Sequence, residues 1–364
     1  MSKNTRVKTV RWTTVAAAAA VLALTGTTAG AAAPVSGTEA VITVGARAAL
    51  PVVSPDGSKA YVVATEADNT VKVKAVNTRT DAVTGQVTLG TTTWSVYAAL
   101  SSDGSRLYVL NGPQLTVVNT ASLTVVSTVA LPDQPRQAGW SAGTVTGLVV
   151  SPDGTTVYVA QNGPTAYRQF GQGRVLTFAT AQQAFTGSVQ VSASFTGSVV
   201  VRPNGRDVYV GGNAGVLHLS TAGGAPTVVG TVTGTATAVE YDLALTPDGS
   251  KLLALAGGAG GGQGDLINPA TDTVTKHVTL TAGYADLHAP RASADGSRFY
   301  VAQEDYNAGP SVLSLDAVAG TTVADETVSP DEEQINGLAA GPDGHTLYVG
   351  GTIGSSAKLQ IINN

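Results

Sequence analysis

The chain has 364 residues, with 20 Lys and Arg against 25 Asp and Glu, no cysteine, and a single methionine at position 1. The lack of cysteine excludes disulfides, thiolate metal sites and thioether-linked haem. The excess of acid makes nucleic acid and anionic membrane poor partners, since both require a basic face.

At the N-terminus Lys3, Arg6, Lys8 and Arg11 precede an apolar run from Val15 to Leu24 and the small residues Ala29-Gly30-Ala31. This is the order of a secretory signal peptide. The run of ten apolar residues falls short of the roughly 20 that a membrane-spanning helix needs. Cleavage is expected after Ala31, with Ala33 as the alternative. Removing residues 1–31 takes away four positive charges and no negative ones, moving the formal net charge from -5 to -9. The mature protein is expected to be secreted or held at the cell surface, monomeric, and without a membrane span.

Beyond the leader a turn of Asp-Gly or Asn-Gly recurs seven times at intervals of 44 to 51 residues, each followed four residues after its glycine by a large strand former. The units run from Asp56-Gly57 to Tyr61, Asp103-Gly104 to Tyr108, Asp153-Gly154 to Tyr158 and Asn204-Gly205 to Tyr209. They continue from Asp248-Gly249 to Leu253, Asp295-Gly296 to Tyr300 and Asp343-Gly344 to Tyr348. In Pro55-Asp56-Gly57 the proline presets φ, the aspartate bonds back to nearby N–H groups, and the glycine takes the φ > 0 position of a hairpin. Replacement of Asp by Asn204, and of Pro by Ser102 or Ala294, keeps turn chemistry while losing charge or ring, so the repeated carboxylates read as turn residues.

Before each turn lies a short apolar run, such as Leu148-Val149-Val150 or Val199-Val200-Val201, expected as an inner strand apolar on both faces. The aromatic segment after the turn supplies a second strand. Two outer strands follow: 70–76 with 83–89, 115–119 with 123–130, 174–178 with 186–192, 215–219 with 226–232, 265–268 with 273–280, and 311–315 with 321–328. Repeats of this length predict an all-β, seven-bladed β-propeller of four-stranded blades. The last repeat lacks one strand, and Ala40-Val41-Ile42-Thr43-Val44-Gly45 has the composition of the missing one, so it is expected to close the ring as the outer strand of blade seven. The domains are then a signal peptide (1–31), a linker (32–37) and a propeller (38–364).

The pairs Tyr61-Val62, Tyr108-Val109, Tyr158-Val159, Tyr209-Val210, Tyr300-Val301 and Tyr348-Val349, with Asn69-Thr70-Val71-Lys72-Val73 and Val76-Asn77-Thr78, resemble the YVTN-type propeller repeat family, which is related to the lactonase-like propellers. The resemblance spans nearly the whole mature chain. It implies the fold, and its relatives include surface-layer proteins, secreted proteins and lactone hydrolases. No lactonase motif is matched clearly enough to carry catalytic residues over, so no catalytic residue is assigned.

Two short motifs point to chemistry only by pattern. Gly139-Trp140-Ser141-Ala142-Gly143 fits G-x-S-x-G but leads into a strand, whereas a nucleophile elbow leads into a helix. The glycine-rich run 257–264 lacks the P-loop lysine and precedes a strand, which reads as a loop.

Polar residues cluster instead in the connections of blades five to seven: Glu240, Asp242, Asp286, His288, Arg291, Glu304, Asp305, Glu332 and Glu333. Of these Glu240, Asp286, His288, Glu304, Asp305 and Glu332 are candidate ligand-binding residues at the mouth of the central channel. No cofactor is predicted, although converging carboxylates there could hold Ca²⁺ through oxygen ligands; solvated loop acids are the alternative. Asp242 and Arg291 interrupt adjacent inner strands and are expected to form a partly buried structural ion pair. Blades two and three add Trp94 and Trp140, with Tyr97, Tyr167, Arg168 and Phe170, as rings able to stack on a carbohydrate or protein ligand. The function expected is a secreted, non-catalytic binding module, with a lactonase-like hydrolase or a structural cell-surface repeat protein as alternatives.

Overall fold

The computed structural model describes residues 37–237, 241–256, 262–281, 285–305 and 307–363, with side chains from residue 40 onward. The turn chemistry is as the repeat requires. Asp56 accepts hydrogen bonds from the Ser54 hydroxyl (2.6 Å), the Ser58 hydroxyl (2.9 Å) and the Ser58 N–H (3.1 Å), while Gly57 takes φ +69° and donates its N–H to the Ser54 carbonyl. Ser101 and Ser105 hold Asp103 in the same way, as Ser293 and Ser297 hold Asp295. These donors, led by the serine two residues before the aspartate, pull the carboxyls of Asp56, Asp103 and Asp295 down to about 2. The turn motif therefore includes the flanking hydroxyls.

Four of the seven turn glycines, Gly57, Gly104, Gly249 and Gly296, also sit against the turn of the preceding blade. A Cβ on Gly104 would lie 2.9 Å from the Pro55 ring of the preceding blade, and one on Gly57 would lie 3.0 Å from Pro342, across the ring closure. Within blades one to three the turn is held by the turn between the outer strands: the Thr78 hydroxyl donates to the Gly57 carbonyl at 2.6 Å, and Thr120 and Thr180 donate to Gly104 and Gly154.

The inner strands are Ala48–Val53, Val96–Leu100, Val145–Val150, Thr196–Val201, Tyr241–Leu245, Ala285–Ala292 and Gln334–Ala340, for blades one to seven in order. Each pairs antiparallel with the strand that follows its turn, as in Val52↔Tyr61 and Val200↔Tyr209. Seven hydrophobic clusters occupy the seven blade interfaces, and the second-strand residues Tyr61, Tyr108, Tyr158, Tyr209, Leu253, Tyr300 and Tyr348 are all buried within them. The core is thus a ring of inter-blade layers. The inner strands are only half-buried, and Val96–Leu100 is partly exposed at every position, because one side of each lines a channel wide enough for water.

Gly37–Gly45 pairs antiparallel with Ser356–Asn363, placing Val41 opposite Gln360 and Ile42 opposite Leu359, and completes the sheet of blade seven. Closure removes the edge that a linear array would leave. Blade six departs from the expected pattern. Its sheet has three regular strands, and residues 321–328 form a 3-10 turn at Ala324–Glu326 flanked by the bridges Leu315↔Thr322 and Val312↔Val328. Glu326 is drawn inward by Arg298, at 2.7 and 3.0 Å, and by the Ser314 hydroxyl at 2.8 Å, which pulls the backbone out of a regular ladder.

Candidate functional site

The inner strands of all seven blades surround a cavity of about 820 Å³. It opens on the face carrying the inter-blade connections, and its wall is mostly Val, Leu, Ala and Pro, with Asp242, His288 and Arg291 the Asp, Glu, His, Lys or Arg residues among its lining. A second cavity of about 420 Å³ continues toward the turn face between blades three and six.

Polar side chains near the upper ends of the inner strands tie blade to blade from blade three round to blade one. The Thr146 hydroxyl donates to the Gly197 carbonyl (2.9 Å), Ser198 accepts from the Leu243 N–H (2.5 Å), Asp242 accepts from the Ala289 N–H (3.3 Å), and Asn336 accepts from the Ala49 N–H (3.3 Å). Between blades six and seven Glu304 does the same for the Ile335 N–H at 2.6 Å. Asp242 is one member of this series.

The expected Asp242–Arg291 ion pair is not formed. The Arg291 guanidinium donates to the adjacent Pro290 carbonyl at 2.8 Å, with no approach to Asp242 within 4.0 Å. The cause is a bulge: His288 pairs with Ala302 and Arg291 with Tyr300, so three steps on the inner strand oppose two on its partner. Ala289 takes φ +51° within this bulge, and Asp242 accepts its N–H. Arg291 faces the lumen and is exposed there, although protein encircles it at longer range; this surrounding burial holds its pKa below the ordinary arginine value, and the Asp242 charge works in the opposite direction.

The candidate binding residues separate into distinct environments. His288 lines the mouth cavity, and its Nε2 lies 3.8 Å from Glu304. Asp286 is exposed and paired opposite Glu304 in the sheet. Asp305 is a turn residue: it accepts the N–H groups of Asn307 (2.8 Å) and Ala308 (2.9 Å), which lower its pKa. Glu332 is 2 % exposed, neither of its carboxyl oxygens has a hydrogen-bond partner, and burial pushes its pKa up to about 8. Its Cγ would lie 2.4 Å from a Cβ on Gly351, so only glycine fits beneath it. Glu240 lies outside the described residues. Among the described residues no three His, Cys, Asp or Glu side chains group as a metal site.

Trp94 is 56 % exposed at the channel mouth and packs against Gly112, whereas Trp140 does not line either cavity; its carbonyl accepts from Arg136 Nε at 3.1 Å. The long connection of blade three forms an extra hairpin, Thr165–Ala166 with Gln169–Phe170, whose tip carries the exposed Tyr167 and Arg168. Ser141 pairs with Thr165 through backbone bonds at 2.8 and 2.9 Å and is followed by the strand Val145–Val150, so it has no elbow geometry. The glycine-rich run 257–264 is described only from 262 onward, where it enters the strand Gln263–Asn268.

Two polar networks were not anticipated from sequence. Arg174, 4 % exposed, donates to Gln161 Oε1 (2.8 Å) and to the Pro132 (2.6 Å) and Asp133 (3.2 Å) carbonyls. His218 stacks on Tyr209 and lies between Asp272 (2.7 Å) and Asp207 (3.3 Å), while the Tyr209 hydroxyl donates to Asp272 at 2.7 Å. An arginine at the first position of a strand and a histidine within one carry no sequence signal of partners that arrive from other segments.

The architecture defines a seven-bladed β-propeller. The chain is similar in structure to the protein described as "Kuenenia stuttgartiensis Hydrazine Synthase", at a TM-score of 0.63 and 18 % identity over 86 % of this chain and 94 % of that one. At that identity the likeness concerns the fold. No family model matches the chain, and no curated protein matches it by sequence. No described helix is long and apolar enough to cross a membrane.

Proposed function

We propose that this chain is an exported YVTN-type propeller acting as a non-catalytic binding module, with a small ligand or the tip of a protein or carbohydrate partner entering the central channel from the connection face. The observation that carries this reading is the cavity of about 820 Å³ lined by every blade, with the exposed indole of Trp94 on its rim and Asp242, His288 and Arg291 on blades five and six. A mostly apolar concavity with a few convergent polar groups is the usual form of a ligand site. A thermal-shift panel of sugars, peptides and cyclic esters tests it, because a ligand that binds only the native state raises its melting temperature. The reading requires at least one shift that is reduced by Trp94→Ala; no shift across the panel would overturn it.

A second reading, a lactonase-like hydrolase, is favoured by the single pairing of His288 with Glu304 at the mouth, 3.8 Å apart. A general base there would take a proton from water as it attacks the carbonyl of a cyclic ester, the C–O ring bond breaking to leave a hydroxy acid. Acid release in a pH-stat that is abolished by His288→Ala would establish hydrolysis and displace the non-catalytic reading.

A further inference from the structure

The smaller cavity has one ionisable group among its lining residues, Arg291, set among Val149, Val200, Leu243, Ala244 and Leu245. Arg291 also lines the mouth cavity and so stands where the two chambers meet. Its position is built. The bulge between His288 and Arg291 brings two residues of odd spacing to the same wall, and it requires Ala289, the one non-glycine residue at positive φ inside a described strand, to adopt the left-handed region. Bulges re-aim side chains, and left-handed backbone at a β-carbon-bearing residue is uphill unless its surroundings fix it. The Asp242 carboxylate does so by accepting the Ala289 N–H.

What this arrangement leaves unmet is hydrogen bonding. A guanidinium has five N–H donors in a planar fork, and here one nitrogen, Nη1, is engaged by the Pro290 carbonyl. Arg174 shows what a structural arginine looks like in this fold: buried, with Nε, Nη1 and Nη2 all engaged by protein acceptors. Arg291 instead presents its remaining donors to a lumen whose nearby wall is aliphatic.

We infer that the smaller cavity, at the turn end of the channel, binds an amphipathic monocarboxylate, its carboxylate on the Arg291 fork and its apolar body against the aliphatic wall of blades three to five. This assignment rests on the channel-binding reading above and names the ligand class for it. A carboxylate matches the guanidinium in a bidentate fashion. The single guanidinium favours a monoanion, because a phosphate dianion would meet no second Lys, Arg or His in the lining of the smaller cavity.

The test uses the mature protein and three probes in titration calorimetry: octanoate, octanol, which has the same body without charge, and acetate, which has the charge without the body. Octanoate is expected to bind more tightly than octanol or acetate by about tenfold or more, and Arg291→Met is expected to remove that advantage. Arg291→Met is also expected to melt near the parent temperature, since a single backbone carbonyl is lost as a partner. Should the variant fail to fold, the comparison of the three probes on the parent protein still decides. Equal binding of octanol and octanoate, or octanoate binding unchanged in Arg291→Met, would overturn the carboxylate assignment while leaving the channel a binding site. Failure of octanoate alongside a Trp94-dependent shift in the ligand panel would sink this inference alone, and failure of every probe and panel member would sink both.

Discussion

Glu332→Gln offers the sharpest measure of how strictly the segment leading into blade seven excludes water. The side chain is 2 % exposed, its oxygens have no partner, and its pKa rises from the ordinary 4.5 to about 8 through burial. An acid whose folded pKa lies above its unfolded one binds its proton more tightly when native, so its contribution is fully present below about 4.5 and is lost as pH rises through about 8. At roughly 1.4 kcal/mol per pKa unit this difference amounts to about 5 kcal/mol over the whole window, of which about 3 kcal/mol is already lost at pH 7. Glutamine keeps the shape and cannot ionise. Urea denaturation of parent and variant at a series of pH values from 5 to 8 should show near-equal stability at the acid end and a widening advantage for Glu332→Gln toward pH 8. Parallel pH profiles for the two proteins would refute the reasoning, since they would mean that the carboxylate ionises at no cost and is therefore hydrated or paired.

Three further outcomes are expected. Deleting residues 38–45 removes the outer strand of blade seven and the buried Val44, and should lower the melting temperature cooperatively by about 10 °C or more; a deletion variant that melts like the parent in calorimetry would contradict ring closure. Arg174→Met leaves the Gln161 amide and the Pro132 and Asp133 carbonyls short of a donor, a loss of about 3 kcal/mol measurable by urea denaturation. The turn carboxyls, held at about 2 by hydroxyl and N–H donors, favour folding above their ordinary range and lose that contribution as pH falls toward 2, so Asp103→Asn should flatten the acid limb of the stability profile.

The fold was legible because the repeat records local chemistry: a turn must have its glycine, its aspartate and its strand-forming residue at fixed spacing whatever surrounds it. The missing strand of blade seven could be located for the same reason. Blade six's outer position could not, because what disrupts it is a contact between Glu326 and Arg298, residues 28 apart in sequence. At the site the sequence correctly pointed to Asp242 and Arg291 as departures from apolar inner strands, yet it paired them wrongly. Nothing in Leu287-His288-Ala289-Pro290-Arg291 announces that Ala289 takes a left-handed φ, and the bulge it creates decides both partners. Arg174, His218 and Glu332 were unreadable for a related reason: their character is set by carbonyls, carboxylates or apolar walls from other segments.

The position of these irregularities follows from the architecture. Seven near-identical blades generate a channel of near-sevenfold symmetry, and a ligand without that symmetry can be held only where repeats differ. The inter-blade ties show where difference is tolerated: Thr146, Ser198 and Asn336 join neighbouring inner strands through neutral hydrogen bonds, while Asp242 and Glu304 perform the same task with carboxylates. Those two ties bridge the interfaces on either side of blade six, which also carries the left-handed Ala289, the lumen-facing Arg291, His288 and the incomplete outer strand. Ring closure through blade seven and the continuous interface clusters keep such a blade in place, because its neighbours on both sides are fixed. Regular blades thereby supply the rigidity that lets blade six depart from the repeat, and its departure places Arg291 and His288 on the channel wall.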